Sequence, residues 1–476
     1  MLPSPGEGVL IDNQVRLKRE LGLRDLTLLL LVALLGVNIV PAVAVAGPIA
    51  LVIWILAAVL FLLPQAVAVV ELSKRYPGEG GLYIWARDIL GEFHGFLVGW
   101  WYMTVNFVFI PTTLYYLVGY TSFIGGDITR PLADDPVFAA AVTLVFLWLI
   151  TAVNVVSVKA TKWLQNIAAL GLLVMLGIVA ALVFAALGSN EPATEFSSEA
   201  IFGEFWSAAT LSILAVSCYS YVGLELAGVV SDEIKSPGRS IPRAITATII
   251  LVPALYVIAT WALLVSLPQG DIRVVDGLLQ ALASVADKAG FLWLLSPLAV
   301  LVSVTVIGNA SAWIGVGARV PYALGIDRYL PAALGRLHPE FRTPHVALIV
   351  SAAIASIFII INSIGTTVQE AYLILLNTTV VIVLLPFLNV FLALLKVCRH
   401  PDQYEGSKAY FKTPSIPIVA GVVGLFMTTI GIILAFVPPG DTENVWAFEL
   451  KMLLGCSLFA IPALLVYKLR SDRNAE

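Results

Sequence analysis

The stretch LLLLVALLGVNIVPAVAVAGP (Leu28–Pro48) decides the fold class of this chain. It carries no charged residue, and ~20 apolar residues of helix at 1.5 Å each cross a bilayer core of ~30 Å. Gly36, Asn38 and Pro41 fall in its middle, where proline removes a backbone donor and glycine weakens the helix. Two interpretations fit: a kinked membrane helix whose neighbours absorb the defect, or a discontinuous helix whose freed amides and carbonyls line a binding site.

Apolar runs of similar length recur along the whole sequence and predict twelve membrane spans. The spans are expected near residues 25–47, 48–72, 94–121, 136–156, 163–187, 205–230, 242–267, 291–318, 345–362, 371–396, 415–437 and 447–468. If the first span begins inside, 23 of the 27 Lys and Arg residues lie on the cytoplasmic side. The exceptions are Arg130, Arg273, Lys288 and Lys451. The positive-inside rule therefore supports a multi-pass protein of the cell inner membrane with both termini in the cytoplasm.

Composition excludes several other classes of protein. Hydrophobic residues make up 59% of the chain, charged residues 12%, and the mean hydropathy is +0.95, so a water-solvated globule is excluded. The net charge of −4 and the absence of a basic patch argue against nucleic acid as a partner. No Cys or His spacing indicates a metal site, and no cofactor is expected. Lipid is the expected surrounding of this protein.

The sixth span, SCYSYVGLELAGVVSDE (Ser217–Glu233), contains a second irregular segment. A carboxylate at the bilayer centre costs ~2.5–3.5 kcal/mol, so Glu225 should face the bundle interior or water. It is either a structural hydrogen-bond anchor between helices or a gate, a proton-linked switch or a substrate contact. Irregular helices five spans apart are typical of transporters built from two inverted five-helix repeats.

Polar residues in two further spans share helix faces. Tyr102 and Asn106 lie four residues apart in the third span, and Asn309 and Trp313 have the same spacing in the eighth. Buried asparagines need hydrogen-bond partners, which favours an inward orientation. Trp313 either packs in the core or forms a lid that stacks over a substrate.

The same residues bear on classes of protein other than a carrier. A membrane-embedded enzyme needs a nucleophile with a base, or a metal set, at one depth, and Glu225 has no such partner within a span. A receptor or partner subunit is disfavoured because the longest loops are about twenty residues. A channel is a further alternative, and it would differ from a carrier by showing flux without saturation or counterflow.

Three separated motifs resemble the amino acid–polyamine–organocation superfamily. They are ELSKRYPGEGGLYIWARDILGEFHGF (Glu71–Phe96), YVGLELAGVVSDEIKSPGRSIPRAI (Tyr221–Ile245) and SAWIGVGARVPYALGIDRYLP (Ser311–Pro331). The chain looks closest to glutamate/GABA antiporters and to plant-type polyamine or amino acid permeases. The resemblance implies an all-α polytopic membrane protein with a LeuT-like 5+5 inverted repeat and two peripheral helices. It implies a secondary transporter of amino acids, or alternatively of polyamines or other organic amines, coupled to exchange, protons or sodium.

The predicted division of the chain follows from this resemblance. It has a cytoplasmic segment 1–24, a first repeat 25–187, a second repeat 205–396, two peripheral helices within 415–468, and a cytoplasmic tail 469–476.

The resemblance also implies roles for named residues. A substrate ammonium would meet sixth-span carbonyls near Tyr219, Ser220, Tyr221 and Val222, and Tyr219, Glu225 and Trp313 would form a gate. The full expected substrate site is Gly36, Asn38, Pro41, Tyr102, Asn106, Tyr219, Ser220, Tyr221, Val222, Glu225, Asn309 and Trp313.

The chain departs from the superfamily pattern at two positions. Many members carry Gly-Ser-Gly in the first span, where this chain has Gly-Val-Asn-Ile-Val-Pro (Gly36–Pro41). The loss of a motif whose amides hold a carboxylate favours an amine substrate. Leu172 stands where some proton-coupled relatives have lysine.

Overall fold

The structure is a bundle of helices joined by short turns. The computed structural model describes residues 19–78, 80–124, 135–187, 192–203, 207–274, 277–288, 290–326, 329–362, 368–400, 409–437 and 445–475. Among these residues the one extended pairing is a parallel bridge between Leu21 and Ile234, and there is no strand. The all-α fold class predicted from the sequence is confirmed.

The first half of the described chain contains eight α-helices. They are α1 (Leu23–Leu34), α2 (Val40–Ala44), α3 (Ile49–Ala57), α4 (Leu63–Arg75), α5 (Leu82–Leu90), α6 (Glu92–Ile124), α7 (Pro136–Val156) and α8 (Val158–Leu187).

The second half contains eleven more. They are α9 (Ser198–Phe202), α10 (Ala208–Ser220), α11 (Leu226–Val229), α12 (Pro237–Ser266), α13 (Gly277–Lys288), α14 (Leu295–Gly317), α15 (Arg319–Ile326), α16 (His345–Asn362), α17 (Val368–Arg399), α18 (Ser415–Leu434) and α19 (Val445–Ala475). Short 3₁₀ turns lie between some of them, at Val37–Ile39, Ser231–Glu233, Gln269–Asp271, Leu292–Leu294 and Ala332–Gly335.

The described residues supply the predicted number of spans. Ten helical stretches are long and apolar enough to cross a membrane, and two shorter apolar helices, Thr210–Ser220 and His345–Ile360, fall where the sixth and ninth spans are expected. The second span is continuous from α3 to α4 through a π-helical turn at Ala58–Leu62. That turn ends two residues before Pro64, which has no N–H for the usual helical hydrogen bond.

Burial separates a central helix from a peripheral one. In the most apolar window of the first span 78% of residues are buried, against 17% in Phe448–Arg470 of the twelfth. Leu26 and Leu30 of α1 are fully buried, because α8, α12 and α14 pack against this helix. The first span therefore lies inside the bundle, whereas the twelfth presents most of its surface outward. The grouping of the spans into repeats 25–187 and 205–396 stays a prediction.

Four short helices lie outside the predicted spans. They are α9, α13, α15 and α5, which follows the glycine-rich loop Pro77–Gly81. The turn into α5 needs Gly81, whose φ is +44° and whose added Cβ would lie 2.8 Å from the amide nitrogen of Val229. This close approach seats the glycine-rich loop against the end of the sixth span.

Candidate functional site

The first span is interrupted between α1 and α2. Helix α1 ends at Leu34, Leu35 and Gly36 leave the helical conformation, and a 3₁₀ turn leads into α2. Pro41 is tolerated because it lies in the first turn of α2, where its missing N–H has no helical partner. The structure therefore shows a discontinuous first span, and a binding site lined by its freed backbone groups stays a prediction.

Two side chains of one other span satisfy carbonyl groups at the end of α1. Asn309 Nδ2 donates to the carbonyls of Val32 and Ala33 at 2.7 and 3.2 Å, and Trp313 Nε1 donates to Ala33 at 3.2 Å. Both side chains belong to α14. The C-terminal carbonyls of a helix otherwise lack donors, so α14 caps the broken end.

Tyr256 of α12 joins the two broken spans. Its hydroxyl donates to the Leu34 carbonyl at 2.7 Å, accepts from the Gly36 N–H at 3.1 Å, and lies 3.4 Å from the Ser220 carbonyl. The ring stacks on Trp54 with centroids 4.0 Å apart. One hydroxyl thus fixes the position of the first break relative to the sixth span.

Two of the amides that follow the first break lack a partner within the described part of the chain, whereas the Ile39 N–H donates to the Gly36 carbonyl at 3.0 Å. The N–H groups of Val37 and Asn38 find no hydrogen-bond acceptor among the residues that the structure describes. Unpaired N–H groups at the start of a helical turn carry partial positive charge and attract anionic groups.

The sixth span is interrupted between α10 and α11. Helix α10 ends at Ser220, and turns follow until α11 begins at Leu226. Gly223 in this segment has φ +138°, and a Cβ added there would lie 2.6 Å from Leu34 Cδ1. Within the described chain no donor reaches the carbonyl groups of Tyr221 and Val222. The second break therefore presents unpaired acceptors beside the first.

A cavity of about 30 Å³ lies between the two breaks. That volume holds about two water molecules, less than an amino acid, so binding of a solute requires the walls to move. The described residues that line it are Ala33, Leu34, Gly36, Asn38, Ile39, Val105, Phe109, Tyr219, Ser220, Val222, Tyr256, Asn309, Trp313 and Val383. None of them is Asp, Glu, Lys, Arg or His.

Seven of the twelve predicted site residues line this cavity. They are Gly36, Asn38, Tyr219, Ser220, Val222, Asn309 and Trp313. The other five predicted residues, Pro41, Tyr102, Asn106, Tyr221 and Glu225, contact other parts of the protein.

Glu225 lies in a fully buried hydrogen-bond network behind the cavity. Its carboxylate accepts from Tyr102 Oη at 3.1 Å, from Gln65 Nε2 at 3.0 Å and from the Gly223 N–H at 2.9 Å. The network ties the turn of the sixth span to α4 and α6. This geometry matches the structural-anchor interpretation of Glu225, and a part in gating stays a prediction.

The other three predicted site residues, Tyr221, Asn106 and Pro41, contact parts of the protein outside the cavity. The Tyr221 hydroxyl donates to the Trp54 carbonyl at 3.1 Å. Asn106 Nδ2 donates to the Tyr102 carbonyl at 3.2 Å, and Asn106 lines a separate cavity of about 10 Å³. Pro41 lies close to Gly277 of α13, where an added Cβ would approach its ring at 3.1 Å.

Sequence reasoning missed seven residues of the lining. They are Ala33, Leu34, Ile39, Val105, Phe109, Tyr256 and Val383. Their residue types are common in membrane helices, so nothing in the sequence distinguishes them from residues that face lipid or other helices. Tyr256 had one usable signal, since a buried tyrosine hydroxyl requires a partner.

The sequence is similar to known transporters over most of its length. Residues 21–458 match the profile of a family described as amino acid permease. An uncharacterized transporter of Legionella pneumophila is 25% identical over 460 residues, which are 95% of this chain and 97% of that protein. A glutamate/gamma-aminobutyrate antiporter of Lactococcus lactis is 22% identical over 89% of this chain and 85% of its own. A protein of the same organism named "Probable agmatine/putrescine antiporter" is 24% identical over 79% and 81%.

Proposed function

The chain belongs to the amino acid permease family, and we propose that it carries amino acids across a membrane by alternating access, with the substrate bound between the breaks of the first and sixth spans. The names of the family and of the relatives make it a multi-pass transporter of amino acids or amines and not an enzyme. The site, the transport cycle and the finer choice of substrate are the proposal.

The observation that carries the proposal is the pairing of unlike backbone groups across one cavity. Among the described residues the N–H groups of Val37 and Asn38 lack an acceptor and suit a carboxylate, and the carbonyls of Tyr221 and Val222 lack a donor and suit an ammonium. Asn38 and Val222 line the cavity, and Val37 and Tyr221 adjoin them in the chain. A zwitterionic amino acid offers both groups on adjacent atoms. Broken helices at corresponding places in two halves also support alternating access, in which one half rocks against the other around a fixed site.

A set of contacts closes one end of the bundle. The Leu21 N–H donates to the Glu233 carbonyl and the Lys235 N–H donates to the Leu21 carbonyl, each at 3.0 Å. The Glu233 carboxylate pairs with the Arg319 guanidinium, and their side chains are 3% and 10% exposed. These contacts join the start of the first span, the end of the sixth and the end of the eighth. Because the positive-inside pattern assigns this end to the cytoplasm, we propose that they form the cytoplasmic gate.

Glu233→Gln is expected to loosen this gate. Losing one charge of a buried pair leaves the other uncompensated, and removing a partner outright costs ~3–5 kcal/mol. We expect the amides of Leu21 and Lys235 to exchange with deuterium at least about tenfold faster, which corresponds to ~1.4 kcal/mol. Mass spectrometry of the purified protein measures this, with Glu340→Gln at an exposed glutamate as the control. Equal protection in wild type and Glu233→Gln would contradict the gate.

We propose that Tyr219, Trp313 and Glu225 take part in gating at the substrate. Tyr219 and Trp313 line the cavity from α10 and α14, and Phe109 lies against Trp313 with ring centroids 5.1 Å apart. Glu225 holds the turn of the sixth span from behind, so a change of its partners would release that turn. We propose that these side chains rearrange together as the two halves move.

The proposal also covers the membrane in which the protein lies and the driving force of transport. The positive-inside pattern supports an inner-membrane protein with both termini in the cytoplasm and lipid around the bundle. Exchange, proton or sodium coupling are the possible driving forces. The alternative function is transport of a polyamine or another organic amine, and it rests on the missing Gly-Ser-Gly motif and on the relative named for agmatine and putrescine.

Counterflow in proteoliposomes tests the proposed function. Vesicles with purified protein are loaded with one unlabelled candidate and diluted into the same radiolabelled compound, using a panel of amino acids and polyamines. A carrier accumulates label transiently above equilibrium, and the accumulation saturates. A channel gives flux without counterflow, and an enzyme or receptor accumulates nothing. Absence of counterflow for every member of the panel would contradict the proposal.

A further inference from the structure

The cavity between the breaks lacks any ionised side chain among the described residues that line it. We propose that the substrate is a small zwitterionic amino acid with an uncharged, mainly aliphatic side chain. This inference rests on the proposed function, since it assumes that the solute binds between the two breaks. It goes further by choosing among amino acids and by rejecting the amine alternative.

The backbone groups at the breaks limit the number of charges that the substrate can carry. The backbone at the breaks provides one set of donors, at Val37 and Asn38, and one set of acceptors, at Tyr221 and Val222. These two sets match one carboxylate and one ammonium. A third charge on the substrate would enter a low-dielectric cavity with no counter-ion, and burial of an unpaired charge is strongly unfavourable. Glutamate, arginine and lysine are each disfavoured for this reason.

Polyamines are disfavoured for the same reason, because their charges would lack counter-ions. Putrescine and agmatine carry two positive charges and no carboxylate, so they would leave the Val37 and Asn38 amides unused and would need a carboxylate on the protein. Glu225 is the carboxylate next to the break, but it is fully buried and does not line the cavity. Both of its oxygens already accept hydrogen bonds from protein donors. Redirecting it to a substrate would unmake the network that holds the sixth-span turn.

The apolar wall sets the side chain of the substrate. Four apolar residues of the lining lie outside the two breaks, namely Val105, Phe109, Trp313 and Val383. Such a wall accepts an aliphatic group and offers no ionised partner to a charged one. The volume of about 30 Å³ favours a short side chain, because each added carbon requires further displacement of Trp313 and its neighbours.

Competition against a neutral amino acid tests the inference on the wild-type protein. Proteoliposomes take up radiolabelled L-alanine in counterflow, and unlabelled L-valine, L-glutamate, L-arginine and putrescine compete. We expect L-valine to inhibit at a concentration at least about tenfold lower than each of the three charged compounds. Counterflow of L-arginine or L-glutamate without counterflow of L-alanine would overturn the inference and leave the proposed function standing. Counterflow of putrescine alone would overturn the inference in favour of the alternative, amine transport. No counterflow with any compound would overturn both.

A designed carboxylate gives the complementary test. Val105 of α6 lines the cavity and is 2% exposed, so Val105→Asp places a negative charge at the substrate and Val105→Asn is the neutral control of similar size. We expect Val105→Asp to gain at least about tenfold in competition by L-arginine relative to Val105→Asn, because the new carboxylate supplies the missing counter-ion. Equal arginine competition in the two folded variants would contradict the charge argument. If Val105→Asp does not fold, the wild-type competition decides alone.

Discussion

Gly223→Ala is expected to reduce exchange by at least about tenfold, the largest loss from a single added methyl group in this protein. The backbone there has φ +138°, a region where an L-residue is strained by ~1–3 kcal/mol. The added Cβ would also lie 2.6 Å from Leu34 Cδ1, and overpacking in a core costs ~1–3 kcal/mol more. Both effects push apart the two breaks that flank the cavity. Initial rates of exchange in proteoliposomes measure the loss.

Gly177→Ala is the matched control for this substitution. Gly177 lies within α8, and a Cβ added there would meet no atom within 4 Å. Alanine is the better helix former, so the control protein should fold at least as well as wild type and keep its exchange rate. Wild-type exchange by Gly223→Ala would show that close contact between the breaks is unnecessary for transport.

Tyr256→Phe is expected to lower exchange by about tenfold to a hundredfold. The substitution keeps the ring that stacks on Trp54 and removes only the hydroxyl, which bonds the Leu34 carbonyl and the Gly36 N–H. Leaving a buried polar group without a partner costs ~1–3 kcal/mol, which corresponds to that range of rates if the cost falls on the transport-competent conformation. The first break would no longer be held beside the sixth span.

The comparison for this variant is Tyr467→Phe. Tyr467 packs its ring on Phe93 and Phe96 at the far end of α19, and none of the hydrogen bonds described involves its hydroxyl. Exchange should be unchanged in Tyr467→Phe and reduced in Tyr256→Phe. If both variants exchange like wild type, the hydroxyl bridge between the broken spans has no part in transport.

Much of the fold follows from the sequence because the bilayer imposes few solutions. A run such as Leu28–Pro48 must be helical where backbone groups meet no water, and its length sets the number of crossings. The positions of the breaks were also predictable, since Gly36, Pro41 and Glu225 do not suit an uninterrupted apolar helix. The short helices α5, α9, α13 and α15 were missed, because none of them is an apolar run of membrane-spanning length.

The site was predicted only in part, for reasons that differ between residues. Glu225 had to face inward, but whether it lines the cavity depends on Gln65 and Tyr102, which reach it from two other spans. Asn309 and Trp313 line the cavity as predicted, yet their donors bind carbonyls of α1. Such assignments depend on tertiary contacts that no spacing reveals.

The choice of substrate shows a further limit of sequence motifs. The missing Gly-Ser-Gly pattern favours an amine, because it suggests that the carboxylate-binding amides are lost. Among the residues that the structure describes, the amides of Val37 and Asn38 have no acceptor at the break, although their side chains differ from that pattern. The backbone conformation supplies these donors, and it cannot be read from the identity of the side chains.

The central claim is that the breaks of the first and sixth spans hold the substrate between them. A structure of the protein with the amino acid that counterflow identifies tests this most directly. We predict that the carboxylate of the bound molecule lies within hydrogen-bond distance of the Val37 and Asn38 amides and that its ammonium lies against the Tyr221 and Val222 carbonyls. A substrate bound elsewhere, or first and sixth spans that run as continuous helices, would contradict the account.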